Sequence, residues 1–183
     1  MSYDSIVTEL ERGRIYPAPL KTLVIGLGNP ILGDDGIGWR VAAAVQRELS
    51  LTNGRYQNVE VDCFALGGLS LMERLIGYER AIIIDAFQTS DGRPGQVYNM
   101  SLRDLPDLST GHTTAAHDTS LQNALRLGRE MGAELPDDVD VVGVEAEQVY
   151  EFSEELTPAV AAAIPEAVRT VTRMLYLTVN GRS

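Results

Sequence analysis

The chain has 183 residues, 44% of them hydrophobic and 22% charged, proportions of one globular domain with room for a real core. Its net charge of −11 repels phosphate backbones and anionic lipid, which argues against nucleic-acid and membrane partners. A single cysteine, Cys63, leaves no intrachain disulfide and no cysteine-based zinc knuckle, and without a signal-like opening or a membrane-length apolar run the expected location is cytoplasmic.

Residues 1–20 mix charges with Pro17 and Pro19 and lack periodicity, so they are read as an N-terminal extension. A single domain is expected over 21–183. Residues 22–27 form the first predicted strand, nearly all apolar as a strand buried on both faces should be. A glycine-rich turn follows, with Gly26, Gly28, Gly33, Gly36 and Gly38, and it delivers Asp34 and Asp35 to the start of a helix. Such a turn permits positive φ and close backbone approach, while Pro30 pushes Asn29 toward an extended conformation. The helix is predicted over 36–49, with Ile37, Val41, Ala42, Val45 and Leu49 on one stripe.

Residues 58–64 read as a second strand and 69–76 as a short helix that turns Leu71, Met72 and Leu75 inward. Residues 81–86 are the most apolar run and therefore the expected central strand. After the turn at Asp91-Gly92-Arg93-Pro94-Gly95, residues 96–101 alternate and are placed nearer an edge. A polar loop is expected over 103–117. Asp118 then reads as the N-cap of a helix over 119–131, with Leu121, Ala124, Leu125 and Leu127 as its apolar positions. Residues 139–144 form another strand, and 157–178 a closing helix with Pro158 in its first turn. This alternation predicts an α/β fold, a three-layer α/β/α sandwich around a mostly parallel twisted sheet.

In open α/β sheets ligands bind beyond the carboxyl ends of the strands. That rule selects Asn29, Asp34 and Asp35 after the first strand, Asp62 and Cys63 at the second, Asp85 at the third, and His112 or His117 in the later loop. Two carboxylates and an imidazole make an O,O,N set suited to a divalent ion of borderline hardness such as nickel or zinc. Each member also has a plainer reading. Asp85 fits as the cap of a turn, and both turn acids fit a helix N-terminus, where negative charge gains ~0.3–1 kcal/mol. Asp34 is given that helix-terminal role; Asp35, directly before Gly36, is the better ligand candidate.

Rival motifs are weaker. Gly26-Leu27-Gly28 opens like a dinucleotide fingerprint, but Ile31 stands where the third glycine belongs. Gly26-Leu27-Gly28-Asn29-Pro30 also resembles the opening of bacterial peptidyl-tRNA hydrolases, which need a basic RNA-binding face this acidic chain does not offer. Cys63 with His117 is a conceivable thiol nucleophile and base, although a cysteine at an apolar strand end is more commonly inert. Phe64 and Leu66 fit either the core or a surface groove for an apolar segment.

With these residues in place the chain resembles the hydrogenase maturation protease family over roughly residues 21–175. Gly26-Leu27-Gly28-Asn29 with Asp34-Asp35-Gly36-Ile37-Gly38 fits the family's opening motif, and Ile83-Ile84-Asp85-Ala86 its second acidic motif. His117 with Leu121 and Leu125 fits its histidine and following helix. Val142-Gly143-Val144-Glu145 and Leu156-Thr157-Pro158 fit its closing pattern. The resemblance implies a cytoplasmic endopeptidase that trims the C-terminal extension from the large-subunit precursor of a [NiFe]-hydrogenase. It implies Asp35, Asp85 and His117 as metal-contacting and catalytic residues, the metal being nickel already inserted in the precursor. The resemblance leaves room for other divalent ions in place of that nickel and implies no permanently bound cofactor. Gly28, Asn29 and Asp62 are the candidate substrate-binding residues. Asp62-Cys63-Phe64-Ala65-Leu66-Gly67-Gly68 departs from the family's pattern, because the threonine many members carry there is absent. That region is associated with substrate choice in the family. A non-hydrolytic, metal-dependent binding or chaperone protein on the same scaffold is the alternative.

Overall fold

The computed structural model describes residues 20–105 and 116–180, without the side chains of 116–120 and 178–180. The predicted extension, apart from Leu20, and His112 lie outside the described residues. The elements in order are β1 (Thr22–Leu27), α1 (Ile37–Ser50), β2 (Val59–Phe64), α2 (Gly68–Arg74), β3 (Arg80–Phe87), β4 (Val97–Ser101), α3 (Ala116–Glu130), β5 (Asp138–Glu145) and α4 (Pro158–Asn180). They form one sheet in the order β2-β1-β3-β5-β4. The first four strands run parallel, and β4 joins antiparallel at the edge of β5. The three-layer reading holds.

Strand alternation sends each face of the sheet to a different helical layer. Leu23, Ile25, Ile83 and Val141 pack with Leu71 and Leu75 of α2 and Leu121 and Leu125 of α3. Val24, Ile82, Ile84 and Val142 face the other way, onto Val41 and Val45 of α1 and Val160 and Val168 of α4. Each fully buried aliphatic side chain contributes about 1.5–3 kcal/mol, so β3, with Ala81 to Ile84 all inaccessible, is the axis of the domain.

Glycine sets how closely α1 approaches the sheet. A Cβ on Gly38 would stand 2.2 Å from the Leu27 carbonyl oxygen and 2.5 Å from that of Ile84. Only a bare backbone fits, and it brings the start of α1 against the carboxyl ends of β1 and β3.

Three expectations change. Helix α3 begins at Ala116, so Asp118 lies inside the first turn and is not its N-cap; alanine's helix preference carries the helix further back than the capping pattern indicated. His117 therefore starts a helix rather than ending a loop. Leu127 is exposed, because Gly128 continues the buried stripe, where a Cβ would meet Met72 Sδ at 2.9 Å. Of the two groove candidates, Phe64 packs against the core and Leu66 is exposed.

Candidate active site

The turn between β1 and α1 builds the site. Gly28 takes φ +110°, and a Cβ there would sit 1.9 Å from the Asp35 carbonyl oxygen, so the chain folds tightly back on itself. A 3-10 turn, Gly33–Gly36, then carries both acids and sends them in different directions.

Asp34 is 0% exposed and has its carboxylate filled by protein donors. Oδ1 accepts the Thr157 N–H at 2.7 Å, and Oδ2 accepts the Glu147 N–H, the Gln148 N–H and the Thr157 hydroxyl, each at 3.0 Å. The helix-terminal role expected for Asp34 becomes a different structural role: it clamps the loop after β5 onto the turn.

Asp35 is half-buried, and its one hydrogen bond among the described residues comes from the Asn29 N–H, 2.6 Å from Oδ2. It faces a small cleft of about 50 Å³ shared with Gly28, Asn29, Leu66, Gly67 and Asp85. The β1–β3 register, Gly26 opposite Ile84, is what brings Asp85 to the same rim. Asp85 is buried, and its Oδ1 accepts the Ala86 N–H at 2.9 Å. Such a space has room for an ion or a water beside the two carboxylates. Roomier hollows of about 500 and 590 Å³ open near the starts of β5 and β2, and neither is lined by two carboxylates.

The structure thus brings together Asp35, Asp85, Gly28 and Asn29. Asp62 faces elsewhere: its Oδ2 lies 2.7 Å from Arg74 Nε, and its Oδ1 accepts the Cys63 N–H. Arg74 and the Tyr78 hydroxyl also hold Glu60, and Tyr78 first, then Arg74, pull the Glu60 carboxyl below its ordinary range. The side chain of His117 lies outside the description. Among the described residues no third His, Cys, Asp or Glu joins the two acids in a metal-holding group.

Residues 40–174 match the family model described as hydrogenase maturation protease. The chain belongs to that family. As a hydrogenase maturation protease it is a peptidase. It is 30% identical over 152 residues to the hydrogenase 2 maturation protease of Escherichia coli K12, covering 83% of this chain and 88% of the relative. It is 27% identical over 159 residues to the hydrogenase expression/formation protein HupD of Rhizobium leguminosarum bv. viciae, covering 87% and 75%. Its fold superimposes on the hydrogenase maturating endopeptidase HybD from E. coli with a TM-score of 0.67 at 27% identity, covering 86% of this chain and 93% of that one.

For a peptidase on this scaffold the thiol reading fails. Cys63 packs toward the layer of α1 and α4, and burial, then the neighbouring Asp62 charge, pushes its thiol up. Both effects disfavour the thiolate, the form a nucleophile needs. The two carboxylates of the cleft are the groups placed to hold a cation or to take a proton from water. Sequence reasoning did not find the loop clamp of Asp34. It also quoted Glu145 only as part of a motif, although its buried carboxylate takes the Thr89 N–H at 2.6 Å and fixes the turn after β3. The signal available was an acid directly after the apolar run Val141-Val142-Gly143-Val144.

Proposed function

We propose that this protein is the endopeptidase that removes the C-terminal extension of a nickel-loaded [NiFe]-hydrogenase large-subunit precursor, acting in the cytoplasm. The observation that carries this reading is that Asp35 and Asp85, from the ends of adjacent strands, line one cleft walled by Gly28 and Asn29. Among the described residues no helix is long and apolar enough to cross a membrane, which agrees with the proposed location.

In this reading Asp35, Asp85 and His117 meet the precursor's nickel, which arrives as part of the substrate. A precursor without the metal leaves two like charges facing one another, which weakens its binding and makes metal insertion a condition for cleavage. Once the metal is engaged, a cleft carboxylate takes the proton of the attacking water, and the scissile carbonyl is held against the turn. Gly28 and Asn29 at the cleft, and Asp62 outside it where Arg74 holds it, are the proposed substrate-binding residues, Gly28 by leaving room for backbone to approach.

Nickel-loaded precursor incubated with wild-type protein should shorten by the mass of its C-terminal extension, read by mass spectrometry. Metal-free precursor should stay intact. Asp35→Asn, Asp85→Asn and His117→Ala should each slow processing by at least about a hundredfold while keeping the wild-type circular dichroism spectrum. Full-rate processing by all three variants would rule out this cluster. A stable complex with no shortening would favour the non-hydrolytic alternative.

A further inference from the structure

Residues 147–155 form a loop that is firmly built and yet shows its largest side chains to water. Asp34 takes its first two N–H groups, Gly33 donates to the Ser153 carbonyl at 2.7 Å, and Ser153 donates to the Ile31 carbonyl at 3.1 Å. Arg40 donates to the Glu154 carbonyl at 2.8 Å, and Val149 turns inward and is buried. On this fixed backbone Tyr150 is 74% and Phe152 87% exposed, and Ile31, across the Leu32–Ser153 bridge from Phe152, is also exposed.

A slack loop exposes aromatics by default; a pinned one does not have to. Tyr150 and Phe152 each forgo the stabilisation that burial of an aromatic ring brings. Aromatic side chains on rigid backbone are the usual anchors of protein interfaces, because little conformational freedom is lost when they dock. Between and around them stand Glu147, Glu151, Glu154 and Glu155, all exposed and none in an ion pair among the described residues. Acid and aromatic groups therefore alternate along the strip. A partner laid on it needs apolar side chains and positive charge together, and an acidic partner is repelled. The strip is hydrogen-bonded to Ile31, Gly33 and Asp34 of the same turn that carries Asp35, so a segment laid on it is held on the turn that bears the cleft's acid.

We propose that residues 147–155 dock an extended segment of the precursor whose apolar side chains cover Tyr150 and Phe152 and whose lysines or arginines lie among the four glutamates. The partner's identity rests on the function proposed above; its chemistry rests on the strip.

The test uses the full chain and nickel-loaded precursor. A photo-reactive benzoylphenylalanine at position 152 should form an adduct on a precursor segment carrying lysine or arginine beside apolar residues. Tyr150→Ser with Phe152→Ser should weaken the complex at least about tenfold. Leu51→Ser with Met131→Ser, which removes apolar groups 82% and 78% exposed at the far ends of α1 and α3, should leave affinity within about twofold. Changing the four glutamates to glutamine should slow association about fivefold at low salt and flatten its salt dependence. Melting curves confirm that each variant is folded. Equal affinity for the two serine pairs, an adduct on an acidic segment, or no adduct at all overturns the docking strip, whether or not the precursor is shortened. Binding and the expected adduct without shortening leave the strip standing and overturn the proposed cleavage.

Discussion

Asp34 and Asp35 are neighbours in one turn and live in opposite conditions. Asp34 is sealed from water with four donors on its two oxygens; Asp35 takes one N–H and looks into a cleft. A carboxylate whose lone pairs are filled by its own chain has nothing left to offer a substrate. One held by a single bond keeps capacity for a cation or a proton. The difference teaches that the turn divides its acids, one closing a clamp on the side of β5 and one left open to the cleft on the side of β3.

The largest effect that tests this division is on stability. Asp34→Ala removes a buried charge and strands three backbone N–H groups, and should cost about 3–4 kcal/mol in urea unfolding at neutral pH. Asp35→Asn keeps an acceptor beside the Asn29 N–H and should cost less than about 1 kcal/mol in the same measurement. Comparable losses at the two positions would break the comparison. A third carboxylate sharpens the scale. Glu60 sits about half exposed between Tyr78 and Arg74, which lower its pKa from the ordinary 4.5. A depressed carboxyl stabilises the fold above its unfolded pKa, and that contribution disappears as pH falls through the folded value. Glu60→Gln should therefore lower stability at pH 7 by no more than about 0.5–1 kcal/mol, and that loss should shrink steadily as pH falls below the ordinary 4.5, read by melting across the acid range.

How much of this was legible in the sequence follows from the range of the forces involved. The strands were legible because runs such as Ala81-Ile82-Ile83-Ile84 state their burial locally. The meeting of Asp35 and Asp85 at one rim was legible because a strand's end is local information and the fold rule places strand ends together. The partners of Asp34 were not, since they lie 113 to 123 positions further along the chain and are backbone N–H groups, which every residue supplies. The start of α3 was misplaced because a good N-cap residue, Asp118, and a good helix former, Ala116, stood two positions apart, and the helix former won. The exposure of Tyr150 and Phe152 was equally hidden, because apolar composition alone reads as core.

The clamp also sets an order of events in the making of the protein. Its acceptor is Asp34 and its last donor is Thr157, so the turn cannot be locked until the chain has been synthesised through β5 and into the start of α4. A contact of such long sequence separation carries a large loop-closure cost, which slows the folding of a chain that depends on it. A nascent chain that stops short of Thr157 therefore lacks the donors that this residue brings to Asp34, and its turn is held by fewer bonds than that of the finished protein.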